Sequence, residues 1–322
     1  MINVFFYKIH VTLQCCFYKK NFGNQLINLV NNSKILNKVS NITDADIVIT
    51  IGDFIGDSCL KNKKLIVYSL QDNCLLNDNI SNNENVLLIL DHYKVTDVEN
   101  QYNIIYGNRL KYLLSKHYDK EVKYTTLNFI DNSYNKKVKC LLNISKLFNI
   151  RYQDKVKPLN ERQYDLVFLG NTNYDTNITK QRLDTKKMIQ KICRRNNLKY
   201  FVNYKPIKYT NYVNILSKTK IFVSPYGWGE FSTKDHECIC YGTHILKPKI
   251  YFEYYPNFCK NMDDFEVDFS NFEEKVLHIL NNIEDTQKKV DDNRKMFLEY
   301  NENDHLLELE KNIKEVYAKS KA

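Results

Sequence analysis

The stretch "SPYGWGEFSTKDHE", Ser224 to Glu237, gathers residue types that suit the binding of an anion. The chain holds 8 glycines, 5 prolines and one tryptophan in 322 residues, and Pro225, Gly227, Trp228 and Gly229 fall together here. Glycines just past a strand let backbone N–H groups approach a negative group closely, and the start of a following helix adds more N–H groups and a partial positive charge. Ser232 or Thr233 can cap that helix. Lys234, in its first turn, opposes the helix dipole unless it faces an anion; a solvated lysine is the alternative. Trp228 suits a site wall or a core anchor equally.

Other residues sit where the chain alternates between elements. In "GNTNYDTNITKQR" (170–182), Gly170, Asn171, Lys180 and Arg182 follow an apolar run, the position at which a doubly wound fold brings a loop to its ligand. The competing reading of the basic residues is a solvated helix face. Asp53 in "IGDF" and Asp91 with His92 in "LDHY" lie at expected strand ends, where a carboxylate or imidazole could take a proton from a hydroxyl. Strand-end Asp residues also serve as plain helix caps. No metal site is expected: the nine cysteines form no CxxC pair and no ligand spacing with His, and no Asp-x-Asp stands in a suitable context.

The elements that must carry these residues read as two similar halves. In the first, "INVFFYKI" (2–9), "ADIVITIG" (45–52), "KLIVYSLQD" (64–72), "NVLLILD" (85–91) and "VKYTTLNFI" (122–130) are apolar on successive residues, which suits strands buried on both faces of a parallel sheet. "GNQLINLVNNSKILNKV" (23–39) carries helical spacing. All prolines lie at 158 or later, and the polar stretch 151–163 reads as a linker. The rhythm then restarts with "YDLVFLGN" (164–171), a basic helix over 178–196, "KYFVNY" (199–204), a helix around "YTNYVNILSKT", the strand "KIFVSP" (220–225), a helix over 233–242, and "HILKP" (244–248). The C-terminal 50 residues have helical spacing. The expected fold is therefore α/β, two Rossmann-like doubly wound domains facing a cleft, with a C-terminal helical segment. The boundaries expected are 1–155, 156–300, and a helix at 301–322 packing back on the first domain.

Composition narrows the function classes. The net charge of +9, with pI about 8.9, would suit nucleic acid, but the basic clusters at Lys61–Lys64, Lys186–Lys187, Arg194–Arg195 and Lys288–Lys289 are short and scattered, so no nucleic-acid partner is expected. A phosphorylated small molecule or an anionic membrane surface fits the charge as well. Unpaired cysteines point to reduced thiols and a cytoplasmic setting, with peripheral membrane attachment open. No run reaches the roughly 18 apolar residues of a membrane span.

The segment "ILSKTKIFVSPYGWGEFSTKDHECICYGTHILKP" (215–248) resembles the donor-nucleotide signature of GT-B-fold glycosyltransferases. The specific part covers roughly 35 residues; the first half matches only in rhythm. The resemblance implies transfer of a sugar from a nucleoside diphosphate sugar, most simply UDP-linked, to an acceptor hydroxyl on a glycan, protein or lipid. It implies no bound cofactor and no metal, the nucleotide sugar being a substrate. It also implies that Glu237 holds the ribose hydroxyls, that Lys234 with the backbone around Gly227, Trp228 and Gly229 neutralises the diphosphate, that Gly170 and Arg182 assist, and that Asp53, Asp91 or His92 supplies the base. The alternative for Glu237 is a helix-surface carboxylate paired with Lys234. Many retaining members carry two glutamates eight positions apart, whereas Glu230 and Glu237 are seven apart, and only Gly23 remains of a glycine-rich loop after the first strand. These departures keep two rivals in view: a non-catalytic nucleotide-sugar or carbohydrate-binding module of the same fold, and a basic nucleic-acid-binding protein.

Overall fold

The computed structural model describes residues 1–7, 22–51, 57–68, 83–91, 94–95, 138–140, 156–172, 176–226, 232–249, 252–253, 260–300 and 302–321. Two parallel sheets organise the chain.

The first sheet contains β1 (Ile2–Tyr7), β2 (Leu36–Lys38), β3 (Ile47–Ile51), β4 (Leu65–Tyr68), β5 (Val86–Asp91) and, beyond the short β6 (Lys94–Val95), β7 (Val138–Cys140). Its order is β2-β1-β3-β4-β5-β7, and each neighbouring pair runs parallel. Ile47, Val48 and Ile49 are successive residues and all fully buried, so both faces of the sheet are covered. Val48, Leu65, Val67 and Val86 form one face with Leu60. Val4, Ile49, Ile66 and Leu88 form the other, under α1 (Phe22–Asn31).

The helix expected over 23–39 is shorter, and its tail is a strand. α1 ends at Asn31, and Leu36–Lys38 pair with β1 as β2. Ser33 makes the break: its hydroxyl accepts the Ile35 and Leu36 N–H groups at 3.1 and 2.8 Å, giving the backbone a local turn in place of the next helical turn. The run 122–130 lies outside the described residues.

The second sheet is built from β8 (Tyr164–Leu169), β9 (Tyr200–Asn203), β10 (Thr219–Val223), β11 (His244–Pro248) and β13 (Asp263–Phe265). Between these run α2 (Thr176–Arg195), α3 (Tyr209–Leu216) and α4 (Thr233–Cys240); α5 (Phe272–Asn281) and α6 (Ile283–Glu299) follow. The order is β13-β11-β10-β8-β9, again all parallel. Counted within its own half, the five-stranded second sheet has strand order 2-1-3-4-5, and the six-stranded first sheet has the same order with β7 added beside β5, so the expectation of two doubly wound sheets is borne out. In this topology the strand order reverses between the first and third strands, and the carboxyl ends of that pair form the natural ligand crevice. In the second half the pair is β8 and β10.

Residues 156–163, read from sequence as linker, are fastened to the second sheet. Arg162 is buried and donates to the carbonyls of Lys157, Thr219 and Tyr241 and to Thr243 Oγ1. Burial depresses its pKa to about 10, and four acceptors hold the charge in place. One of them belongs to the turn after α4, where Gly242 adopts φ +61°, the left-handed conformation that ends a helix at low cost for glycine.

Two features cross between the halves. The two-residue strand β12 (Phe252–Glu253) pairs antiparallel with β6, so the chain leaving the carboxyl end of β11 meets the chain leaving the carboxyl end of β5. The helix α7 (Glu302–Lys319) lays Leu306, Leu309 and Ile313 into the core of the first sheet against α1 and β5. Its end is pinned by Tyr317 donating to Asp46 at 2.6 Å and by Lys64 donating to Ser320 Oγ at 2.9 Å. Among the described residues no helix is long and apolar enough to cross a membrane.

Candidate functional site

The carboxyl ends of β8 and β10 bring the site together. β8 ends at Leu169 and runs into Gly170, and β10 ends at Val223 and runs into the buried Ser224 and Tyr226. Two cations converge on Gly170. Lys234, from the first turn of α4, donates to the Leu169 carbonyl at 2.8 Å. Arg182, reaching in from α2, is buried and donates to the carbonyls of Tyr226 at 2.7 Å and Asn171 at 2.5 Å. A Cβ on Gly170 would stand 3.0 Å from Arg182 Nη1 and 3.2 Å from Lys234 Nζ, so glycine leaves the space into which both charges project.

The two like charges repel. Burial, followed by the field of Arg182, pulls Lys234 down to a pKa of about 8, against smaller opposing contributions from Glu237 and Asp235. A half-desolvated lysine beside a buried guanidinium, at the start of a helix and at the reversal point of a sheet, is an arrangement suited to a strong anion.

Glu237 lies one turn further along α4 and is 6% exposed, so it is an interior carboxylate and not one on the helix surface. Burial pushes its pKa up, while Tyr212, Tyr209 and Lys234 act to lower it. The Tyr212 hydroxyl is itself buried and makes no full hydrogen bond, though it lies close enough to Glu237 to bear on its ionisation.

What holds α4 in place is a buried ion pair that the sequence did not reveal. Asp235 is fully buried; its carboxylate takes the Lys247 ammonium at 3.1 Å and the Ser224 hydroxyl at 2.6 Å. The same carboxylate accepts the Ser232 N–H at 2.7 Å and the Ser232 hydroxyl at 3.1 Å, the carboxylate's half of a capping box at the start of α4. One side chain thus joins the end of β10, the middle of β11 and the first turn of α4. The available signal was the spacing of Ser232 and Asp235, which matches a capping box with Asp in the usual Glu position.

The two histidines of the segment are structural. His244 Nε2 lies 2.9 Å from Asp263, whose pKa burial would raise but which His244 and Lys289 together hold well below the usual carboxylate range. His236 is buried against the Phe297 ring at 5.6 Å. Cys193, Cys238 and Cys240 are buried thiols with pKa values raised by burial, unsuited to nucleophilic work.

Of the residues expected at the site, Gly170, Arg182, Lys234 and Glu237 are brought together. Gly227, Trp228, Gly229, Glu230, Asp53 and His92 lie outside the described residues. Asp91 is the last residue of β5, on the edge that the β6–β12 ribbon ties to the second half. Among the described residues no cluster of three His, Cys, Asp or Glu side chains could hold a metal ion.

No family model matches the chain, and no curated protein does. Among solved structures, the chain is similar to a GtfA/B complex, with 12% identity and a TM-score of 0.46 over 84% of this chain and 57% of that one. It is similar to an alpha-glucosyltransferase in complex with UDP and a 13-mer DNA, with 10% identity and a TM-score of 0.49 over 98% of this chain and 99% of that one. It is also similar to TarM, with 15% identity and a TM-score of 0.43 over 91% of this chain and 58% of that one. The chain thus spans little more than half the length of the GtfA/B and TarM chains. All three likenesses fall below 25% identity and below a TM-score of 0.5, and the doubly wound architecture stands on the two strand orders themselves.

Proposed function

We propose that the protein is a glycosyltransferase that binds a nucleoside diphosphate sugar at the carboxyl ends of β8 and β10 and transfers its sugar to an acceptor hydroxyl. The observation that carries this reading is the like-charge pair Lys234 and Arg182, both aimed at the space over Gly170. A diphosphate would neutralise the two at once and relieve the repulsion between them.

In this reading Lys234 and Arg182 grip the diphosphate, and Glu237 accepts from the ribose hydroxyls on the far side of the same nucleotide. As the bond from sugar to diphosphate breaks, negative charge grows on the departing phosphate, and two fixed cations in a water-poor setting stabilise it without reorganising. UDP is the nucleotide favoured by the resemblance of residues 215–248. The acceptor side falls to the first sheet, with Asp53, Asp91 and His92 as candidate bases.

The test is thermal melting with UDP, GDP and ADP sugars in turn. A rise with one nucleotide that disappears in Glu237→Ala and Lys234→Ala supports the site; no rise with any of them removes it. Hydrolysis of the donor in the absence of acceptor then separates an enzyme from a binding module of the same fold.

A further inference from the structure

Residues 176–220 contain twelve Lys and Arg against one Asp, which leaves the rest of the chain with 35 Lys and Arg against 37 Asp and Glu. The whole positive surplus therefore sits on α2, β9, α3 and the start of β10, at one edge of the second sheet. Arg182 is buried in the site, and Lys220 is paired with Asp165 at 2.7 Å. Most of the others are exposed. Lys180, Lys187, Lys191 and Arg194 are exposed and separated by seven, four and three residues, so they line one stripe of the helix, about 21 Å long at 1.5 Å per residue. The opposite face buries Ile178, Ile189, Ile192 and Cys193. A second basic group, Lys205 and Lys208, is exposed on the loop between β9 and α3, and Lys186 ties that loop to α2 by donating to the Tyr204 hydroxyl at 3.2 Å.

Apolar groups stand within this field. Leu183, Tyr204 and Tyr209 are 38%, 37% and 39% exposed, half of the six large hydrophobic residues that are exposed among those described. Leu183 borders the lysine stripe, and the two tyrosines flank the loop that holds Lys205 and Lys208.

We propose that this edge is a docking surface for an anionic phospholipid bilayer, which seats the protein peripherally. The charge is carried mainly by lysine, nine of the twelve, and lysine is a point charge suited to a diffuse field of headgroups; arginine is the residue of bidentate contact with bases and single phosphates. The aromatic rings are engaged within the protein, Tyr204 under the Lys186 ammonium at 4.7 Å and Tyr209 against Tyr212 at 6.0 Å, so they are poor platforms for stacking bases. Their polar ends suit the headgroup layer, with Leu183 as a shallow apolar contact. The surface does not depend on the glycosyltransferase reading.

The experiment is co-sedimentation of the full chain with vesicles of phosphatidylcholine alone and with about 30 mol% phosphatidylserine, at about 0.1 M salt and again near 1 M. Sedimentation with the anionic vesicles only, lost at high salt and weakened about tenfold or more in the triple variant Lys187→Glu, Lys191→Glu, Arg194→Glu, is the expected result. These side chains are exposed, so the melting temperature should hold; Lys205→Glu with Lys208→Glu is a second, independent variant that should weaken sedimentation in the same direction. Equal binding to neutral vesicles, no binding to anionic ones, or full binding by both variants overturns the proposal. So does sub-micromolar binding of a labelled duplex DNA or RNA at 0.1 M salt with weak vesicle sedimentation, which would assign the surface to nucleic acid. The nucleotide-dependent melting shift is measured in the same variants and should be unchanged, which separates this surface from the donor site.

Discussion

Lys234 and Arg182 are neighbouring cations that each donate to backbone carbonyls: one to Leu169, the other to Asn171 and Tyr226. Their proximity makes nucleotide binding a proton-linked event. With a pKa of about 8 in the free protein, Lys234 is charged below that pH, and a bound diphosphate would raise its pKa. Affinity for a nucleoside diphosphate should therefore be level below pH 8 and fall above it by up to about tenfold per pH unit. At the acid end, Glu237, raised by burial, takes up a proton earlier than an ordinary carboxyl and affinity should fall again. Calorimetric titration across pH checks both limbs. Lys234→Met should flatten the alkaline limb, and an alkaline limb that survives in that variant would remove Lys234 from the linkage.

Gly170→Ala separates binding from stability. The new methyl group would press on Arg182 Nη1 and Lys234 Nζ, which are ends of flexible side chains, and on the edge of the buried Phe168 ring at 3.1 Å, which must give by a few tenths of an ångström. The melting temperature should change by no more than a few degrees. Nucleotide affinity should drop about tenfold, near 1.4 kcal/mol, because both cations must move away from the anion. A large loss of stability with unchanged affinity would contradict this geometry.

The Asp235–Lys247 pair should show the asymmetry of buried charges. Lys247→Met leaves a fully buried carboxylate with hydroxyl and N–H partners only, and should cost about 3–5 kcal/mol in urea unfolding. Removing both charges with Asp235→Leu and Lys247→Met should cost less than the sum of the single changes. Additive losses would show the two side chains to be energetically independent.

Leu309 and Ile313 are fully buried in α7 against the first sheet, and each to Ala should destabilise by about 2–5 kcal/mol. Hydrogen exchange should locate the loss in β1, β4 and β5. Loss confined to the second sheet would contradict the packing of α7.

Much of this arrangement was legible beforehand. Strands such as Ile47–Ile51 and Val86–Asp91 announce themselves through consecutive apolar residues, because a parallel sheet buries both faces. Gly170, Arg182 and Lys234 could be named from their positions after a strand and in a first helical turn, and Glu237 through the resemblance carried by residues 215–248. Three features could not. β2 hides behind helical spacing because a single hydroxyl, that of Ser33, decides the break. The Asp235–Lys247 pair joins residues 12 apart whose meeting depends on the strand order. The basic edge looked like short scattered clusters along the chain, and only the crossover α2 with its loop shows Lys180 through Lys208 on one surface.

The placement of α7 bears on how the protein comes off the ribosome. The apolar face of the first sheet is closed by Leu306, Leu309 and Ile313, some 300 residues after β1. The half that is synthesised first thus receives the last part of its core from the far end of the chain: α1 covers one portion of that face early, and the portion under α7 is filled only once Leu306, Leu309 and Ile313 have been made.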